Sequence, residues 1–168
     1  MAEIIKVYKE RLPDVRFIGK RYTDDHRVNG DFGHLWSEWF EKGWFKELEK
    51  LGELPMENGY MGFMRCYPDF EYWIGMFVPP NAEVPEGYAY FDLPEGDVGV
   101  CWIKGSEDDG SIYDMHDRCL EKLGENGMGE FKTSEDGRAY FFERYICPRF
   151  TEKDADGNVI LDYGIYLA

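Results

Sequence analysis

Ile74-Gly75-Met76-Phe77-Val78 and Tyr163-Gly164-Ile165-Tyr166-Leu167 carry one pattern twice: a bulky residue, a glycine, then three further bulky positions. Working outward from them, Phe63-Met64-Arg65 matches Phe142-Glu143-Arg144, and Asp14-Val15 matches Asp97-Val98. Short apolar segments align by chance, but three matches in the same order around a common series of elements indicate an internal duplication.

The elements themselves follow from periodicity. Residues 14–22 read as a strand, and the Asp-, Gly- and Asn-rich 24–33 as a loop. Asp31 is a candidate N-cap, behind which Trp36, Trp39, Phe40, Trp44, Leu48 and Leu51 recur at helical spacing, with Gly52 as a stop. Two β runs, Gly59 to Tyr67 and Phe70 to Val78, flank Pro68-Asp69 as a hairpin. Residues 79–96 contain Pro79, Pro80, Pro85 and Pro94 and read as a linker around a short aromatic stretch, Tyr88 to Phe91. The order then repeats. Asp97 to Lys104 is a strand, and Ser111 to Asp114 a capping box ahead of a helical stripe of Ile112, Met115, Cys119, Leu120 and Leu123. Arg138 to Pro148 and Val159 to Leu167 close as strands around the turn Asp154–Asn158.

The expected fold class is therefore α+β: tandem strand–helix–strand–strand modules forming an antiparallel sheet, with helices on one face and a ligand cleft between modules. One domain fills 1–168, with module one at about 1–78, the linker at 79–96 and module two at about 97–168.

Composition narrows the function. The 34 acidic and 19 basic residues leave a net charge of −15, a field that repels nucleic-acid phosphates and anionic lipid and attracts cations. Direct nucleic-acid binding and membrane association are not expected. The N-terminal Met1-Ala2-Glu3-Ile4-Ile5-Lys6 lacks signal-peptide regions, and a cytoplasmic protein is expected. Cys66, Cys101, Cys119 and Cys147 show no C-x-x-C spacing, and His26, His34 and His116 no metal-ligand spacing. Asp154-x-Asp156-Gly157 has Tyr163 where a calcium loop needs a bidentate Glu, so it is a turn. No phosphate loop, dinucleotide fingerprint or nucleophile elbow occurs, and neither a cofactor nor a metal is expected.

Aromatic residues form 17% of the chain, enough either to line a cleft or to fill a core with rings. Met64 in the first copy stands where the second has Glu143, a carboxylate among Phe141, Phe142 and Tyr145. It either points to solvent, pairs with Arg144 or Arg65, or serves as a negative anchor in an aromatic pocket. Strand parity puts Ile74, Met76 and Val78 with Tyr163, Ile165 and Leu167 on a face suited to helices. The opposite set holds Trp73, Gly75 and Phe77 with Asp162, Gly164 and Tyr166. That set is taken as the cleft face, with Trp73, Phe77 and Tyr166 as ligand contacts. Trp39 and Trp102 are further candidates, each equally suited to the core.

Phe142-Glu143-Arg144-Tyr145 resembles the Glu-x-Tyr signature of the GyrI-like (gyrase-inhibitor-like) small-molecule-binding domains. The order of elements, the Trp-rich first helix and the closing strand Tyr163 to Leu167 extend the resemblance over nearly the whole chain. It implies a cleft between modules that takes aromatic, often cationic compounds, with Glu143 at its floor and Tyr145 beside it. Related domains are often fused to DNA-binding helices, for which this chain has no spare length, so a stand-alone binding protein is expected. A branch of the family hydrolyses cyclopropane-bearing alkylators, in which case Glu143 would activate water and Tyr145 would donate a proton. A third possibility is regulation of gyrase or of a separate regulator through the acidic surface.

Overall fold

The computed structural model describes residues 2–29, 31–65, 69–133, 135 and 139–168. The expected hairpin turn at Pro68, the strand end at Cys66 and Tyr67, and the strand start at Arg138 fall outside these residues.

The chain forms an antiparallel sheet of eight strands: β1 (Glu3–Leu12), β2 (Val15–Tyr22), β3 (Tyr60–Arg65), β4 (Glu71–Val78), β5 (Ala89–Leu93), β6 (Gly96–Gly105), β7 (Phe141–Tyr145) and β8 (Val159–Tyr166). Three helices, α1 (Gly33–Lys42), α2 (Trp44–Glu49) and α3 (His116–Glu125), complete an α+β fold. Gly43, in a left-handed conformation, divides the single helix expected after Asp31 into α1 and α2. Asp31 sits one residue before the N-cap Phe32, and its carboxylate accepts from the Gly33 N–H at 2.9 Å. The expected capping box at Ser111 is instead a 3-10 turn, Ser111–Tyr113, which ends before α3 begins.

The strand order is β1-β6-β8-β7-β3-β4-β2-β5. Exchanging β1 with β5, β2 with β6, β3 with β7 and β4 with β8 reverses this order, which is the signature of a pseudo-twofold axis between β3 and β7. Each repeat thus begins one strand earlier than its sequence suggested, and the expected linker 79–96 contains β5, the second repeat's first strand. These first strands are exchanged: β1 pairs with β6 and β5 pairs with β2. Leu12 faces Gly96 as Leu93 faces Val15, so Leu12-Pro13-Asp14 and Leu93-Pro94-Glu95 are equivalent corners. One register further, the ion pair Arg11–Asp97 at 3.4 Å has its counterpart in Arg16–Asp92 at 2.7 Å, with the signs reversed.

Only Pro13 and Asp14 join β1 to β2, and only Pro94 and Glu95 join β5 to β6, although six strand steps separate each pair in the sheet. Two residues reach about 10 Å, whereas six steps across a flat sheet would cover nearly ~30 Å. The sheet must therefore curl until its two ends meet at these corners, where the Glu95 N–H bonds the Asp14 carboxylate at 2.6 Å.

Curling gives the faces different environments. The inner face closes on itself as a core of Leu12, Val15, Phe17, Met61, Phe63, Trp73, Phe77, Leu93, Val98, Val100, Phe142 and Tyr166. The outer face carries the helices: Leu35, Trp39, Phe45 and Leu48 from α1 and α2, and Cys119 and Leu123 from α3, pack on Ile74, Met76, Val78, Tyr163 and Ile165. No helix long and apolar enough to cross a membrane occurs among the described residues.

Beside Trp102 lies a buried ion network. Arg144, 1% exposed, is held by Glu10 at 2.9 Å and Asp162 at 3.0 Å, and Arg149 binds Asp162 at 2.7 Å. Breaking a buried pair strands a charge in low dielectric, whereas an exposed pair contributes little. Asp162→Asn should lower unfolding free energy by about 3 kcal/mol in urea denaturation. Glu121→Gln, which removes the exposed Arg118–Glu121 pair, should change it by less than ~0.5 kcal/mol.

Candidate functional site

Along the outer face α1–α2 cover the first repeat and α3 covers the second, and the central strands β3 and β7 lie between them. A cavity of about 840 Å³ opens there, over the pseudo-twofold axis. Phe, Tyr and Trp supply most of its lining, drawn from both repeats.

Its floor is the central ladder. Tyr60 faces Tyr145, Gly62 faces Glu143 and Met64 faces Phe141 across β3 and β7, and all but Gly62 line the cavity. Gly75 and Gly164 are equivalent glycines; Met61 faces the first as Phe142 faces the second, so Met61 corresponds to Phe142 and Gly62 to Glu143. The expected match of Met64 with Glu143 is thus out of register by two residues. Glu143 lies on the axis itself, opposite its own symmetry mate, which is a glycine. The second repeat supplies a carboxylate where the first supplies no side chain.

Tyr145 donates its hydroxyl to Glu143 Oε2 at 2.9 Å. Neither arginine that could have neutralised Glu143 does so. Arg144 points to the opposite face because alternate strand residues do, and Arg65 is engaged by Glu71 at 2.6 Å. Among the described residues Glu143 has no cationic partner. Burial, moderated by the Tyr145 hydrogen bond, pushes its carboxyl up to about 7.

The walls are rings. Phe32 stacks on Tyr72 with centroids 4.3 Å apart, Phe45 backs Tyr60 at 3.8 Å, and Trp36 meets Tyr145 edge-on at 5.0 Å. Phe40 and Tyr113, 59% and 44% exposed, stand at the rim. His116, the first residue of α3, hydrogen-bonds Tyr163, and burial lowers its pKa below the usual imidazole value. Glu107 accepts from the Tyr113 hydroxyl at 3.3 Å on the same wall.

Of the residues expected in the cleft, Glu143 and Tyr145 line this cavity. Trp73, Phe77 and Tyr166 share a face as parity required, but that face is the closed inner core, where they are 4%, 1% and 0% exposed. The cleft-face assignment is corrected: the cavity is on the helix-bearing face. Trp39 is fully buried under α1, its indole N–H on Tyr22 at 3.0 Å. Trp102 lies away from the cavity, donating to Tyr8 at 3.2 Å with Arg149 over its ring at 4.6 Å. Trp36, Tyr60, Tyr72, Tyr113 and His116 were not anticipated. Trp36 belongs to the recognised helical stripe, but which side of that stripe borders a cavity depends on the gap between the helices. Among the described residues no group of three or more His, Cys, Asp or Glu is placed to hold a metal ion.

No protein-family model matches the chain, and no curated protein matches it in sequence. Solved structures share its fold. A putative bacterial transcription regulation protein from Staphylococcus aureus MU50 superposes with a TM-score of 0.64 at 13% identity, over 96% of this chain and 97% of that one. SAV2435, solved bound to tetraphenylphosphonium, gives 0.65 at 12% identity over 98% and 94%. EcmrR, solved in a complex with DNA, gives 0.56 at 14% identity, over 97% of this chain but 58% of that one.

Because Glu143 titrates higher in the folded chain than in the unfolded one, its ionised form opposes folding. The penalty is absent at pH 4 and complete above pH 8. Glu143→Gln should therefore raise stability at pH 8.5, by roughly 1–3 kcal/mol, and leave it nearly unchanged at pH 4.5, as read by thermal melting at both values.

Proposed function

We propose that this chain is a GyrI-like binding protein that captures hydrophobic aromatic cations in the cavity above β3 and β7. The observation that carries this reading is a carboxylate with no cationic partner among the described residues, at the floor of an aromatic cavity of about 840 Å³. A small-molecule site of that volume buries most of a drug-sized ligand. A delocalised cation suits it on two counts: it supplies a countercharge to Glu143, and its positive edge meets the rings of Trp36, Tyr60 and Tyr145. The fold shared with a protein solved bound to tetraphenylphosphonium supports the same reading.

The charge and the rings contribute differently. Stacking serves neutral and cationic ligands alike, whereas Glu143 discriminates between them only while ionised. Since its carboxyl sits at about 7 in the free protein, a cation must expel a proton below that pH. Calorimetry with tetraphenylphosphonium should show affinity flat above pH 8 and falling about tenfold per pH unit below 7. Neutral triphenylphosphine oxide should lack this dependence, and Glu143→Gln should abolish it for the cation. Equal losses for both ligands on Glu143→Gln would make the carboxylate structural and defeat the reading.

The position of that same carboxyl favours a second reading, hydrolysis of an electrophilic compound. A base near pH 7 is matched to proton abstraction from water, which an ordinary solvated Glu is not. Mass spectrometry in ¹⁸O-water separates the two: unchanged ligand supports capture, and a labelled product supports hydrolysis.

A further inference from the structure

The segment joining β2 to α1 and the one joining β6 to α3 occupy equivalent places in the two repeats, and each brings charge to the cavity. The first contributes Arg27 and Asp31, the second Glu107. These charges are engaged differently. Arg27 is paired with Asp24 at 2.7 Å, and its guanidinium lies over the rings of Phe32 and Phe70 at 4.7 and 4.9 Å. The Asp31 carboxylate accepts from the Gly33 N–H at the start of α1. Glu107 enters no ion pair among the described residues, whereas its neighbour Asp108 takes Lys153 at 3.7 Å.

The Glu107 carboxylate is held instead by a neutral donor, the Tyr113 hydroxyl, at 3.3 Å. Burial first, then the negative fields of Glu107 and Glu143, raises the pKa of that phenol, so it keeps its proton and remains a donor. A neutral hydrogen bond orients a carboxylate without cancelling its charge. His116, also on this wall, adds no compensating charge above pH 7, because burial lowers its pKa below the usual imidazole value. The second repeat therefore lines the cavity with two carboxylates that lack cations among the described residues: Glu143 on the floor and Glu107 toward the rim. A ligand with a single cationic centre at Glu143 leaves the other to solvent.

We propose that Glu107 is a second cation contact of this cavity and that its ligands include aromatic dications, with one centre at Glu143 and the other at Glu107 and the ring of Tyr113. The inference rests on the binding reading above and narrows its ligand class. Tyr113 is 44% exposed and presents an aromatic ring to the same cavity, so a second ammonium gains a cation–π contact beside the carboxylate. Glu107 itself is exposed, which limits its contribution to a severalfold change in affinity and makes that contribution sensitive to salt.

Ethidium and propidium form a matched pair of probes: they share one phenanthridinium ring system, and propidium carries a second quaternary ammonium on a propyl arm. Fluorescence titration of the full chain with each dye at pH 8, where Glu143 is ionised, gives the ratio of their affinities. At about 20 mM salt propidium should bind about three- to fivefold more tightly than ethidium. That ratio should fall toward one in Glu107→Gln, and in the unaltered chain at about 0.3 M salt; Glu107→Lys should invert it. Asp108→Asn removes the same charge one residue away, outside the cavity lining, and should leave the ratio in place. A ratio that stays in place in Glu107→Gln, or that falls as far in Asp108→Asn, overturns the second contact. In that case ethidium binding that weakens in Glu143→Gln leaves the reading of the cavity standing. If neither dye binds, that reading fails and the dication class falls with it.

Discussion

Two residues cannot cross six strands of a flat sheet, and this reach constraint at Pro13-Asp14 and Pro94-Glu95 governs the rest of the molecule. It forces the sheet to curl, and curling makes the two faces unequal. The inner face becomes a sealed volume that only packed apolar side chains can fill. The outer face is covered by two helical units that leave a gap between them. The gap falls over β3 and β7, where the halves meet.

The exchange of first strands ties the halves together. Because β1 lies against the second repeat's β6 and β5 against the first repeat's β2, each repeat supplies the edge strand of the other half, and the central ladder is not the only seam between them. The floor of the cavity is thereby held from both sides. That anchoring bears on the half-buried Glu143, since relaxation of the surroundings is the usual route by which an ionised group escapes its desolvation cost.

Glu143 shows how neighbouring residues on one strand can have opposite fates. Arg144 is neutralised twice, by Glu10 and Asp162, on one side of the sheet. Glu143, adjacent in sequence, is left on the other side with a hydroxyl and rings. The pleat keeps the two charges apart, and the consequence is a folded state that tolerates an unfavourable carboxylate at neutral pH. Such tolerance is common where a site is kept ready for a ligand rather than for stability.

The duplication, the antiparallel α+β class and the prominence of Glu143 and Tyr145 were legible in the chain, because period-two and helical patterns are local and a charged residue in an apolar run is conspicuous. Parity also sorted Ile74 from Trp73 correctly, since alternation across a strand needs no tertiary information. Which of the two faces would hold the cavity was another matter. Trp73, Phe77 and Tyr166 have the composition of a stacking surface, and only the curl of the sheet turns that surface inward. The short β5 escaped notice because the prolines around it obscure a strand whose pairing partner, β2, lies far off in sequence. Likewise the register that sets Gly62 against Glu143 is a relation between strands from different repeats. Residue types and faces were written locally; side, register and neighbours were decided by the closure of the whole sheet.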